Sequence, residues 1–78
     1  MAESDLQQGF VVCVRNDGYA ASLEVRKIYQ MLNDPAATSR HYVRIVDESG
    51  EDYLYPESFF LPIELSQEMR EALLLLAG

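Results

Sequence analysis

Few side chains in this sequence could do covalent or acid–base chemistry. Cys13 is the only cysteine and His41 the only histidine among 78 residues. Cys13 stands inside FVVCVR (10–15), where a thiol among apolar neighbours behaves as a small hydrophobe rather than a nucleophile. His41 follows Arg40 at the start of an apolar run with no acid beside it, so it reads as a solvated strand-end residue rather than a general base. Asp47, Glu48, Glu51 and Asp52 surround Ser49-Gly50. Their spacing does not follow the calcium-loop pattern, and hydrolytic carboxylate pairs need a cleft with divided environments. They read as a solvated turn, with an acidic docking tip for a basic partner as the alternative. There is no Gly-rich phosphate loop, no Cys/His metal set and no basic stripe. The expectation is a chain that is not an enzyme and holds no cofactor or metal.

The aromatic residues are a better lead. Tyr19, Tyr42, Tyr53, Tyr55, Phe59 and Phe60 are many for a chain this short. Strand alternation predicts Tyr53 and Tyr55 together in the core, opposite Leu54. Tyr19, Tyr42 and Phe59 are expected to meet on one surface, an aromatic patch with acidic surroundings suited to a peptide. Core packing or ordinary surface placement is the competing reading for each of them.

The elements that must position these residues are short. FVVCVR predicts a strand over 10–15, with Phe10, Val12 and Val14 on one face and Val11, Cys13 and Arg15 on the other. Asn16-Asp17-Gly18 is turn chemistry, and an irregular arm follows with Leu23 as its apolar anchor. VRKIYQML (25–32) fits a helix or a strand by period. The Asn33-Asp34-Pro35 breaker and the strand-like neighbours favour the strand. Asp34 can cap one short turn with Pro35 at its first position. Residues 42–55 read as a hairpin turning at 47–50, and Pro56 ends it. A helical turn over 57–59 and a short strand over 60–63 come next. Ser66 is a candidate N-cap for a helix over 67–77, whose Met69, Ala72, Leu73 and Leu76 share one face. Leu74 and Leu75 widen that stripe beyond what a single docked face needs.

Five short strands at these spacings suggest a small barrel or sandwich, and here the residues resemble the Src-homology-3 family. ASLEVRKIYQML (21–32) is similar to the family's arm and second strand, and EDYLYPESFFLPI (51–63) to its ending. The resemblance implies a mainly β fold, an SH3-like five-stranded barrel followed by a C-terminal α-helix. The resemblance covers roughly residues 10–63; with the start, which lacks apolar periodicity and carries Glu3 and Asp5, and the helix signals at the end, the chain is expected to divide into a flexible start (1–8), the barrel (9–65) and the helix (66–78). The resemblance also implies that Pro56 takes the family proline, Phe59 the aromatic that lines the ligand groove, and Phe60 the buried residue after it. The sequence departs from the family in having no Trp, in keeping only Tyr19 of the early tyrosines, and in carrying Arg26-Lys27 where the diverging turn often has Gly. Short bacterial SH3-like proteins are what the chain resembles most, and a shared fold carries no activity with it.

Thirteen acidic against six basic residues give a formal charge of −7. Nucleic acids and anionic membranes both select cations, so neither is an expected partner. The start has no basic region followed by an apolar run, and one cysteine forms no internal disulfide; the expected compartment is the cytoplasm. The function expected is a protein-interaction module. The alternative is a self-associating structural or regulatory subunit, a homodimer joined through the C-terminal helix, and the residues expected to bind are Tyr19, Tyr42, Phe59, Leu74 and Leu75.

Overall fold

The computed structural model describes residues 8–77 and, among these, the side chains of residues 9–75. Five strands are formed: β1 (Gln8–Cys13), β2 (Ile28–Leu32), β3 (Tyr42–Val46), β4 (Asp52–Pro56) and β5 (Phe60–Ile63). A short helix α1 (Pro35–Thr38) precedes β3, a single 3-10 turn (Glu57–Phe59) joins β4 to β5, and α2 (Gln67–Ala77) ends the chain. The strands make one antiparallel sheet in the order β4-β3-β2-β1-β5. The chain is therefore mainly β with a C-terminal helix, as expected. The flexible start expected over 1–8 lies outside the described residues except at Gln8, which already belongs to β1.

Partners across a ladder share a face, and the register sorts the side chains into two sets. Val11, Cys13, Tyr29, Ile45, Tyr55 and Phe60 line the inner face, where Leu23 and Phe59 join them in one buried cluster. Leu23 is the arm's anchor, as the sequence predicts, at 1% exposure. The Glu48 N–H donates to the Ser22 carbonyl, tying the hairpin to that arm. On the outer face Phe10 is also buried. The Arg70 guanidinium of α2 lies 5.5 Å from the centre of its ring.

Local chemistry accounts for the punctuation. Asp34 accepts the Ala37 N–H and Pro35 opens α1; the Ser66 hydroxyl accepts the Met69 N–H and caps α2. Gly18 and Gly50 take the positive φ that their turns require.

Three expectations about the elements are corrected. The first strand runs over 8–13, because the N–H groups of Val14 and Arg15 turn to the Phe59 carbonyl. The second begins at Ile28 rather than Val25, because Arg26 turns the chain with φ at 79°. The face of α2 presented to the sheet is rotated: Met69 and Ala72 are exposed, while Arg70, Leu73 and Leu74 are partly buried. The Leu76 side chain, expected on the docked face, lies outside the described side chains. No described helix is long and apolar enough to cross a membrane.

Candidate functional site

The aromatic residues do not gather as the sequence predicts. Phe59 is buried at 7% exposure. Its ring is covered by Tyr19, 6.0 Å away edge-on, and by the Arg15 guanidinium at 5.7 Å. Phe59 therefore belongs to the core and is not open to a ligand. Tyr19 also packs edge-on against Tyr55 at 5.0 Å, which fixes its ring on the inner side. Tyr42 pairs with Pro56 on the outer face, in register with Arg44 and Leu54. The sheet separates Tyr42 from Tyr19 and Phe59, so no common patch forms. Tyr53 and Tyr55 share the inner face, but only Tyr55 is buried; Tyr53 remains half exposed.

A cleft of about 590 Å³ opens on the outer face where α1 meets β3 and β4. Ala36, Ala37, Tyr42 and Leu54 supply its apolar lining, and Arg40 and Arg44 its cations. Tyr42 and Leu54 are large apolar groups left 43% and 44% exposed among the described residues. Arg44 is held in place, its Nε on Asp34 at 2.8 Å and its Nη1 on Asp52 at 3.0 Å. The Arg44 guanidinium holds the Asp34 carboxyl below its usual range, and the Asp34 carboxylate, with Asp52 next, raises the pKa of the guanidinium. Arg40 differs in forming no ion pair with any described residue.

Leu54 also lines a second cleft, of about 420 Å³, on the other side of β4. Tyr19, Tyr53 and Tyr55 form its aromatic wall, with Ser22, Asp47 and Ser49 at its polar end. Asp47 corrects the expectation of a solvated turn, being buried at 6% exposure. Its carboxylate accepts the Tyr55 hydroxyl at 2.5 Å and the Ser49 hydroxyl at 2.6 Å. Burial pushes the carboxyl up, but the donors of Ser49 and Tyr55 outweigh it and hold the group below its usual range. The neighbouring Glu48 accepts from Lys27 and from the Tyr29 hydroxyl. Burial, with Asp47 next, moves the Tyr55 phenol up to about 12.

Cys13 is fully buried, and its thiol donates to the Arg15 carbonyl; desolvation raises its pKa. His41 has an acid near it after all, because the chain's return places Glu57 Oε2 3.4 Å from its Nδ1. Among the described residues no group of three or more His, Cys, Asp or Glu could hold a metal ion. Of the two α2 leucines expected to bind a partner, Leu74 is half-buried and Leu75 stands 81% exposed.

Sequence reasoning missed Leu54, Arg40 and Asp47. Alternation sets Leu54 opposite the core, as the structure has it, and the central Tyr-Leu-Tyr of its strand carries neither the Lys nor the Pro that commonly guards a sheet edge. Compared with known proteins, the chain matches no family model, no curated protein and no solved structure.

Proposed function

We propose that this chain is a non-enzymatic protein-interaction module that receives a short segment of another protein at the α1–β3–β4 cleft. One observation carries the reading: the Arg40 guanidinium, which forms no ion pair with a described residue, lines an apolar cleft whose Tyr42 and Leu54 are exposed. Covering those side chains is favourable by about 25 cal/mol per Å² of apolar surface. A carboxylate reaching Arg40 adds a charge-assisted hydrogen bond and fixes orientation. The segment that fits therefore presents an aliphatic side chain and a carboxylate on the same side.

The strand order, with a single helical turn before the last strand, supports an SH3-like barrel with its usual groove filled by Tyr19 and Arg15. The resemblance extends the reading to a bacterial, cytoplasmic protein. The −7 charge supports partners other than nucleic acid or an anionic membrane.

Selection from a displayed library of random peptides tests the proposal. The expected binders carry an aliphatic and an acidic residue, and lose affinity about tenfold or more with Arg40→Glu or Leu54→Asp. Binders indifferent to both substitutions would place the site elsewhere.

A second reading, self-association through α2, is favoured by the exposure of Met69 at 52% and Leu75 at 81%. Light scattering of the chain and of Leu75→Glu tests it: a dimer that the substitution returns to a folded monomer is the expected result.

A further inference from the structure

The two edges of the sheet are not equivalent. The backbone bonds at either end of β4 set its phase: the Asp47 N–H donates to the Glu51 carbonyl and the Glu57 N–H to the His41 carbonyl. Antiparallel ladders alternate with period two, so Tyr53 and Tyr55 between them direct their backbone groups at β3. The N–H and C=O of Asp52 and Leu54 then point away from the sheet, and among the described residues β4 pairs with β3 alone. The same logic applied to β5 starts from the Val14 N–H, which donates to the Phe59 carbonyl. Leu61 and Ile63 face β1, and Phe60 and Pro62 face outward. Pro62 has no N–H, and the Phe60 N–H is taken by the Glu57 carbonyl. The β5 edge therefore offers no outward donor, whereas the β4 edge offers two.

The open edge runs between the two clefts, with Leu54 lining both. A strand laid against β4 would send alternate side chains to opposite faces, one set toward Tyr42 and Arg40, the other toward Tyr19 and Tyr53. Backbone bonds would supply affinity and the clefts selectivity, the division of labour in strand addition. From this we infer that the partner segment binds as an added sixth strand on β4, with an aliphatic residue and a carboxylate two positions apart facing α1. The inference rests on the interaction reading above and adds to it the mode of binding and the pattern of the ligand. Charge decides between a foreign segment and a second copy. Two copies meeting edge to edge would each bring a net −7, while Arg40, which has no ion-pair partner among the described residues, remains to be matched by a carboxylate.

The test uses the full chain with a synthetic peptide in which Leu and Glu, two residues apart, alternate with Thr. Binding of this peptide, weakened by Arg40→Glu, measures the cleft. Strand addition is measured separately, by hydrogen exchange at the Asp52 and Leu54 amides and by peptides N-methylated at successive positions. The expected result is slower exchange at Leu54 by about tenfold or more, and loss of binding at every second N-methyl position only. A peptide that binds and responds to Arg40→Glu, yet leaves the Leu54 amide unchanged and tolerates every N-methyl group, overturns strand addition while the cleft reading survives. A peptide that does not bind at all overturns both. A Leu54 amide already protected without peptide, in a chain that light scattering shows to be dimeric, assigns the edge to a second copy and also overturns the inference.

Discussion

Asp47 sits in a four-residue turn, where side chains ordinarily face water, yet its carboxylate is buried and receives the hydroxyls of Tyr55 and Ser49. A hydrogen bond to a buried charge is worth about 1.5–3 kcal/mol, so Tyr55→Phe should lower stability at neutral pH by that order. The sign with pH follows from linkage. Asp47 and Glu48 are depressed below their ordinary 3.8 and 4.5. The unfolded chain therefore takes up protons first, and the stability these groups give at neutral pH is lost as the pH falls below those values. Tyr55→Phe relieves part of the depression at Asp47, so the gap between wild type and variant should narrow in acid. Urea unfolding at neutral and acidic pH checks this, and a gap independent of pH would show that Tyr55 contributes packing alone. The alkaline limb has the opposite cause. Tyr55, at about 12, and Tyr29, also raised, keep their protons in the fold while the unfolded chain ionises near 10.0, so stability falls as the pH rises from there. Arg26 offers a change in the other direction. Its φ of 79° is left-handed, a conformation costing a side-chain-bearing residue about 1–2 kcal/mol, and it forms no ion pair with a described residue. Arg26→Gly removes that strain at some cost in unfolded-chain entropy, and a net gain of about 0.5–1 kcal/mol in chemical unfolding is expected.

At the scale of elements, Phe59 and Phe60 stand side by side where the 3-10 turn runs into β5, and both rings enter the core. Both are buried, so Phe59→Ala and Phe60→Ala should each cost about 3–5 kcal/mol, a large share of what a domain this small possesses. Calorimetry showing Phe59→Ala to be nearly neutral would mean that Tyr19 and Arg15 do not hold over its ring. On α2, Leu73 reaches the cleft that Phe10 lines, whereas Leu75 is turned to water. Leu73→Glu should loosen the helix, and Leu75→Glu should change stability by no more than about 0.5 kcal/mol. The hairpin, the caps at Asp34 and Ser66 and the turn glycines were legible in the sequence, because neighbours within a few residues decide them. The burial of Phe59 was not, since its cover comes from an arm far back in the chain. Tyr53 shows a different limit. Period two assigns it to the inner face correctly, but among the described residues its strand has a neighbour on one side only, and the ring is left half exposed. Alternation gives the face of a residue, and the strand's place in the sheet gives its depth.

Over the whole molecule, the −7 charge and the two uncovered apolar surfaces act against one another. Which strand is an edge depends on the complete strand order, which is why the candidate site at Leu54 and Arg40 could not be read from any one segment. The two contacts proposed respond to salt with opposite signs. At the β4 edge the contact includes a carboxylate on Arg40, and added salt screens that attraction, so peptide binding should weaken. Along α2, Met69 and Leu75 would join two like-charged copies through apolar surface. Salt screens the repulsion there and leaves the attraction intact, so any dimer should become tighter. Peptide binding and light scattering, each at low and high salt, separate the two. Leu75→Glu should abolish the salt-strengthened dimer and leave peptide binding unchanged, while Arg40→Glu should do the reverse. Peptide affinity that rises with salt and is lost in Leu75→Glu would move the interaction surface from the sheet edge to the helix.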